Sequence, residues 1–194
     1  MTPAPIRAPA SPTSASATGP TARVRVLGNG ALVPRVAHAA AGVEPLAPAV
    51  CVVPRIPGWA PLAEVSDAWL EAEVGDALDE VLATVQQELD FLRGGRLVFV
   101  LPAAPLMGAS GHAGASAVTN GVLSMARTLA IELARDSMTV NVLAVNTSME
   151  PDVEGAAAGT LTGQLTTLLG PGGEHVTGQE IYLTAGSDLG RLRP

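Results

Sequence analysis

The fold is decided by residues 96–145, which read RLVFVLPAAPLMGASGHAGASAVTNGVLSMARTLAIELARDSMTVNVLAV. Residues 96–101 form a near-continuous apolar run, which is typical of a strand buried on both faces of a parallel sheet. A small-residue loop is expected from 102 to 114. Residues 115–135 then carry apolar side chains at helical spacing, and 139–145 form a second apolar run. A strand, a helix and a second strand in this order predict a right-handed β–α–β unit.

The rest of the chain repeats this alternation on both sides of the central unit. Residues 74–92 predict another long helix, because apolar residues recur at i, i+3, i+4 and i+7 while the acids lie opposite them. Ser66 is expected to cap a helix before it, with Trp69 packing inward. The other expected elements are strands at 23–27, 49–53 and 180–184, a weak helix at 31–41 interrupted by Pro34, a loop at 54–65, and a helix near 161–169. These elements predict a three-layer α/β fold around a parallel sheet.

Residues 1–22 differ in composition from the rest of the chain. They consist mainly of Pro, Ala, Ser and Thr, and we expect them to form a disordered tail. They contain no contiguous apolar stretch, so they do not resemble a secretory signal. Residues 23–194 are expected to form one domain, since 194 residues are too few for two domains of ordinary size.

The overall charge and the missing residue types exclude several classes of function. The net charge of −7 argues against a nucleic-acid partner, which would require a basic surface. No apolar run approaches the length of a membrane helix, so no membrane partner is expected. A single cysteine, Cys51, excludes an internal disulfide and suits a cytoplasmic location. All 11 basic residues are arginine, so chemistry that needs a catalytic lysine is excluded.

Two short motifs suggest chemistry, but a structural interpretation of each is preferred. Gly28, Asn29 and Gly30 follow the first strand, where a dinucleotide site would place a glycine turn. The third glycine of that fingerprint is missing, which favours an ordinary turn. Ser110, His112 and Ser116 lie in the small-residue segment 108–116, where Ser110 or Ser116 would serve as a helix cap. His38, His112 and His175 are widely separated, so no metal site is predicted.

Four segments resemble the short-chain dehydrogenase/reductase family, especially its ketoacyl-carrier-protein reductases. Residues 94–100 (GGRLVFV) look like the strand that leads to the family's catalytic serine. Residues 125–134 (MARTLAIELA) look like the second half of its catalytic helix, and 138–145 (MTVNVLAV) look like the next strand. Residues 176–186 (VTGQEIYLTAG) look like its last strand. The resemblance implies a Rossmann-like sheet.

The departures from the family pattern fall on its functional positions. Counting back from the helix, the family's catalytic tyrosine corresponds to Ala115 and its lysine to Thr119. Its serine corresponds to Pro102, and the proline and glycine after the next strand correspond to Val145 and Asn146. Its Asn-Asn-Ala-Gly segment corresponds to residues 55–58, which read RIPG. We therefore assign no catalytic, cofactor-binding or metal-binding residue to this chain.

The spacing of the first two strands indicates a truncated fold. About 50 residues would be needed for two further strands with their helices, from typical element lengths. Only about 20 residues separate Gly30 from the strand at 49–53. The chain is expected to lack roughly two βα units of the first half, which in the family carry the adenosine end of the nucleotide.

The resemblance implies a non-catalytic subunit that assembles with an active short-chain reductase. In the family, the helices corresponding to 74–92 and 115–135 and the segment corresponding to 180–194 form the subunit interfaces. The active paralogue would bind NADP or NAD and act on a β-hydroxy or β-keto acyl group, carried by an acyl or peptidyl carrier protein, in a two-plus-two tetramer. Inactive subunits of this kind occur in aminocoumarin antibiotic pathways. In some tetramers of the family the C-terminus of one subunit reaches a neighbour's site, which makes Arg191 and Arg193 the candidate contacts here.

Two alternatives belong to other classes of function. The first is a cofactor-independent dehydratase or cyclase that uses the degenerate cleft, for which Ser110, His112, Ser116 and Thr119 are the candidate residues. The second is a module that binds a ligand in a nucleotide-sized pocket. The first lacks a mutually supporting pair of residues in the sequence, and the missing glycine turn and strands argue against a nucleotide as the ligand of the second.

Overall fold

The computed structural model describes residues 23–147 and 156–186. These residues form a five-stranded sheet with helices on both faces. The strands are β1 (Arg25–Leu27), β2 (Ala49–Val52), β3 (Arg96–Pro102), β4 (Thr139–Val145) and β5 (Glu180–Leu183). The helices are α1 (Val33–Ala41), α2 (Asp67–Leu70), α3 (Asp76–Glu88), α4 (Ala103–Met107), α5 (Ala113–Glu132) and α6 (Ala156–Leu169). This is the α/β, Rossmann-like, three-layer architecture that the sequence predicts.

All five strands are parallel, and they lie side by side in chain order, β1-β2-β3-β4-β5. β3 is the central strand, where Phe99 lies in register between Val52 of β2 and Val142 of β4. Every residue of β3 and β4 is buried. This burial explains why both strands are almost wholly apolar in sequence, since a parallel sheet is covered on both faces.

Each face of the sheet has its own hydrophobic core. On one face, alternate residues of the strands, such as Leu97 and Phe99, pack against α3 and α5. On the other face, the intervening residues, such as Val98 and Val100, pack against α1 and α6. The alternation follows from the two-residue period of a strand.

The helices are not distributed as four right-handed crossovers would require. Consecutive strands always step in the same direction across the sheet. A β–α–β connection whose helix lies on one face of the sheet therefore has the opposite hand from a connection whose helix lies on the other face. Because α1 and α6 lie opposite α3 and α5, two of the four connections are left-handed. The expectation of right-handed units throughout is wrong, and left-handed β–α–β connections are rare.

Several local expectations are corrected by the structure. The segment 102–114 is not a simple loop, because it contains α4. Pro34 does not interrupt α1 but lies in its first turn, where a missing N–H costs nothing. The helix predicted at 74–92 begins earlier, as α2 continues through a π-helical turn at Glu71–Gly75 into α3. The Ser66 cap is confirmed, since its hydroxyl accepts the N–H of Trp69 at 3.2 Å.

The outermost segments lie outside this description. The tail predicted at 1–22 and the C-terminal arginines Arg191 and Arg193 fall outside the described residues. Among the helices of the described ranges, none has the length and apolar character needed to span a bilayer.

Candidate functional site

The candidate site lies where the strands end at their carboxyl edge. This edge is where ligands bind in open parallel α/β sheets. Parallel pairing brings together the turn at residues 28–30, the segment 54–58, the segment beginning at Pro102, and Asn146. The sequence-predicted family positions are therefore collected at one edge, together with the first turns of α5.

Ala115 and Thr119 lie one turn apart in α5 and both are buried, at 1% and 0% exposure. The Thr119 hydroxyl donates to the carbonyl oxygen of Ala115 at 2.9 Å and lies 3.3 Å from that of Ser116. Its hydrogen-bonding capacity is thus spent on its own helix. Neither residue presents an ionisable group to the cleft.

The residues proposed for a cofactor-independent reaction do not form a catalytic pair. Nδ1 of His112 lies 2.9 Å from the backbone carbonyl oxygen of Ser110. The Ser116 hydroxyl donates to the carbonyl oxygen of Pro105 at 2.8 Å. A nucleophile and its base must lie within hydrogen-bond reach of each other, and the bonds of these side chains run to the backbone instead.

The expected capping role of Ser110 or Ser116 is wrong. The N-cap of α5 is His112, and it makes no side-chain capping bond. Ser116 lies inside the helix, where its hydroxyl joins α5 to the middle of α4 through the carbonyl oxygen of Pro105. The small residues of this segment thus allow close packing of α4 on α5.

Trp59 packs against the loop that precedes α5, and Trp69 packs against the first turn of that helix. A Cβ atom added to Gly111 would lie 1.9 Å from Nε1 of Trp59, and one added to Gly114 would lie 2.5 Å from the ring of Trp69. The N–H of Ala60 donates to the Gly111 carbonyl oxygen at 2.9 Å. The segment after β2 is therefore fastened to the start of α5, next to Ala115.

The glycines of the first turn are required by packing. A Cβ atom at Gly28 would lie 2.2 Å from the carbonyl oxygen of Val53, and one at Gly30 would lie 2.1 Å from that of Pro54. The Gly30 N–H also donates to the Val53 carbonyl oxygen at 3.1 Å. The backbone that follows β2 approaches this turn so closely that only glycine fits at the two positions. This agrees with the interpretation as an ordinary turn.

Two positions in the first turn of α1 offer no free N–H group to a dinucleotide pyrophosphate, which binds to such groups at a helix N-terminus. The Val33 N–H already donates to the Gly30 carbonyl oxygen at 3.0 Å, and Pro34 has no N–H to offer. The Arg35 guanidinium does not reach over this turn either, since it donates to the carbonyl oxygen of Asn146 at 3.0 Å.

A cavity of about 230 Å³ lies between this turn and α3. Its lining combines apolar side chains with amide and charged side chains. Its lining includes Asn29, Val52, Arg55, Glu80, Val81 and Gln87. Arg55 is held by Glu73 at 2.8 Å and lies 3.9 Å from Glu80, so its charge is already compensated by carboxylates. The described residues that line the cavity therefore offer no free cation to a phosphate group.

The remaining titratable groups do not assemble into a metal centre. Within residues 23–147 and 156–186, no three His, Cys, Asp or Glu side chains lie close enough to share an ion. His38 occupies the last turn of α1, and His175 lies 3.9 Å from Glu174 at the opposite edge of the sheet. Burial raises the pKa of the Cys51 thiol to about 12, so this residue is an inert part of the core.

Comparison with known proteins identifies the fold. No family profile and no curated protein matches the chain. Among solved structures, a blue fluorescent protein from a metagenomic library in complex with NADPH is 24% identical, with a TM-score of 0.56 over 70% of this chain and 64% of its own. A Sinorhizobium meliloti protein assigned as a short-chain alcohol dehydrogenase is 18% identical, with a TM-score of 0.61 over 73% of this chain and 66% of its own.

A Serratia marcescens short-chain dehydrogenase/reductase variant is 15% identical, with a TM-score of 0.59 over 71% of this chain and 64% of its own. The chain thus spans about two thirds of the length of these structures. It has the Rossmann-like α/β fold found in short-chain dehydrogenases and reductases.

Sequence reasoning missed the two contacts between tryptophan and glycine and the cavity beside α3. The sequence did contain a signal for the tryptophan–glycine contacts, because Trp59 and Trp69 are the only tryptophans in a chain with 3% aromatic residues. A rare large ring near a glycine-rich loop is a reason to expect packing between them. The cavity had no signal, because its lining comes from three separate segments.

Proposed function

We propose that this chain is a non-catalytic subunit of an NAD(P)-dependent short-chain oxidoreductase. It assembles with an active paralogue that acts on a β-hydroxy or β-keto acyl group on a carrier protein, in the cytoplasm and in secondary metabolism. The two-plus-two tetramer and the NADP or NAD site of the active subunit are parts of this proposal. In it, the chain supplies structure, and the paralogue supplies the reaction.

The proposal rests mainly on the absence of an ionisable side chain at Ala115 and Thr119. Hydride transfer in this fold needs a proton donor or acceptor beside the nicotinamide. At the corresponding positions stand an alanine with no proton to give and a threonine whose hydroxyl is bonded to Ala115. Pro102, at the serine position, likewise has no hydroxyl.

The strand order supports the loss of the cofactor half. A doubly wound sheet has the order 3-2-1-4-5-6, and its ligand binds where the order reverses. Removal of strands 2 and 3 from that sheet would leave a sequential order with the first strand at an edge, as in this chain. After that removal, the helix that follows the first strand would lead to a strand on the other side of it. The connection would then have the opposite hand, which accounts for the face on which α1 lies.

The outer surface of α5 supports assembly through this helix. Over its first three turns its exposed side chains are small and uncharged, and Arg127 is the first charged one: Ala113, Ala117, Asn120 and Ser124. Beside them, α3 exposes Leu82 at 40% and packs Leu78 against Gly121. Small side chains let two helices approach closely, so this surface suits a partner helix.

The test is co-expression with the paralogous active reductase, followed by light scattering and assay of the purified complex. A stable heteromer whose activity exceeds that of the paralogue alone is expected. Ser124→Arg should weaken it, whereas Thr167→Arg, an equal change on α6 at the opposite face, should not. A paralogue that remains fully active and unbound in the presence of this chain would refute the proposal.

A further inference from the structure

The described residues expose an apolar patch where β2 connects to α3. Trp59 is 66% exposed, Leu62 is 77% exposed and Leu70 is 42% exposed. All three lie within residues 59–71, which we call the 59–71 patch. Isolated exposed apolar residues are ordinary, but several on one short segment indicate an interaction surface.

The 59–71 patch is held in place at both ends. Its first end is fastened by the ring of Trp59 on Gly111 and by the hydrogen bond of 2.9 Å from the Ala60 N–H to the Gly111 carbonyl oxygen. Its other end is fastened by Trp69 on Gly114. A segment ordered before binding loses little conformational entropy when a partner arrives.

Acidic side chains are interleaved with the apolar residues along the same segment. Glu64, Asp67 and Glu71 are exposed, and none of them has an ion pair among the described residues. The neighbouring Glu73, in contrast, pairs with Arg55 at 2.8 Å. The patch thus combines an apolar centre with an uncompensated negative rim, which favours a partner of opposite charge.

We propose that the 59–71 patch binds a segment of another protein that presents an apolar side chain between arginines or lysines. In the assembly proposed above, on which this role rests, that protein is the active subunit. The bound segment places its apolar side chain against Trp59 and Leu62 while its cations meet Glu64 and Asp67. The negative rim also disfavours an anionic group such as phosphopantetheine.

A second copy of this chain is a poorer occupant than a basic partner. Two copies would each bring a net charge of −7. Most described arginines are already paired within the chain, as Arg25 is with Glu88 and Arg127 with Glu180. Long-range repulsion and the scarcity of free cations both oppose self-association through this patch.

The test compares two doubly substituted variants with the same change in charge and apolar surface. The first, Leu62→Ser with Glu64→Arg, alters the patch. The second, Leu46→Ser with Glu44→Arg, alters an exposed pair on the opposite face, where Leu46 is 69% exposed. The probes are a synthetic amphipathic peptide of leucine and arginine, the same peptide with glutamate for arginine, and the active paralogue.

The arginine peptide should bind the unaltered chain, and the first variant should weaken that binding about tenfold, or 1.4 kcal/mol. The second variant controls for the effect of the charge change anywhere on the chain. The glutamate peptide controls for binding through leucine alone. Equal weakening by both variants, or equal binding of both peptides, would overturn the proposal. A homodimer abolished by the first variant would overturn it as well, since the occupant would be a second copy.

The two proposals fail separately. If the paralogue binds and the first variant binds it equally well, the patch proposal is wrong and the subunit proposal stands. If the paralogue does not bind while the arginine peptide binds at the patch, the subunit proposal is wrong and the preference for basic apolar segments stands.

Discussion

The hydroxyl of Thr119 donates a hydrogen bond to the carbonyl oxygen of Ala115, 2.9 Å away and one turn earlier in α5. Both side chains are buried against the sheet. In the sequence resemblance to short-chain dehydrogenases and reductases, these two positions correspond to that family's catalytic tyrosine and lysine. Here these positions contribute to packing, so substitutions at them should affect stability and leave chemistry unchanged.

Thr119→Val should change the free energy of unfolding by less than about 1 kcal/mol. The hydroxyl it removes bonds to a carbonyl that the helix already satisfies, so no buried group is left unpaired. Urea denaturation measures this effect. The activity of the complex with the paralogue should also be unchanged. A large loss of activity at unchanged stability would show that the hydroxyl takes part in the reaction.

The Cys51 thiol should be unreactive in the native protein. Burial raises its pKa to about 12, so it stays protonated, and the unfolded chain ionises first. The free energy of unfolding should therefore fall as the pH rises above about 9, the ordinary thiol value. Denaturation midpoints between pH 8 and pH 10 measure this, with Cys51→Ala as the control that lacks the thiol contribution. Rapid labelling by a thiol reagent without denaturant would contradict it.

The strands and the long helices could be predicted from the sequence because their apolar periodicity depends on burial alone. The run from Arg96 to Leu101 and the strand from Thr139 to Val145 are clear examples. The hand of the crossovers could not be predicted, because it depends on the face to which each helix packs. The contact of Trp59 with Gly111 was only hinted at by the rarity of tryptophan, since it joins residues that are 52 positions apart.

The Glu174 carboxylate should titrate below the ordinary glutamate range. Hydrogen bonds from its own backbone N–H and from Gly172, together with the charges of His175 and Arg96, lower its pKa. Because the pKa of Glu174 is lowered in the folded state, its ionised carboxylate stabilises the fold above about pH 4.5. This stabilisation is lost as the pH falls through the pKa of the folded state. NMR titration of the Gly172 amide should report the lowered midpoint, and Glu174→Gln should remove the transition. A midpoint at or above 4.5 would contradict it.

Gly30→Ala should destabilise the chain by at least about 2 kcal/mol, as expected for a buried steric conflict. The added Cβ atom would lie 2.1 Å from the carbonyl oxygen of Pro54, which is backbone and moves little. Gly58→Ala is the matched control, because its Cβ atom would meet nothing within 4 Å. Urea denaturation compares the two variants. If Gly30→Ala kept its stability and lost binding of a nucleotide, the turn would be a ligand site.

Gly111→Ala should destabilise the loop before α5 more than Gly108→Ala does. Both glycines have positive φ, +73° and +85°, so both variants carry similar backbone strain. Only at Gly111 would the new Cβ atom meet the Trp59 ring, at 1.9 Å, whereas the Gly108 position is open. The difference between the two variants thus isolates the contact with the ring. Tryptophan fluorescence should shift in Gly111→Ala and not in Gly108→Ala, and the 59–71 patch should bind the arginine peptide less well. Identical spectra and stabilities would show that Trp59 does not rest on this loop.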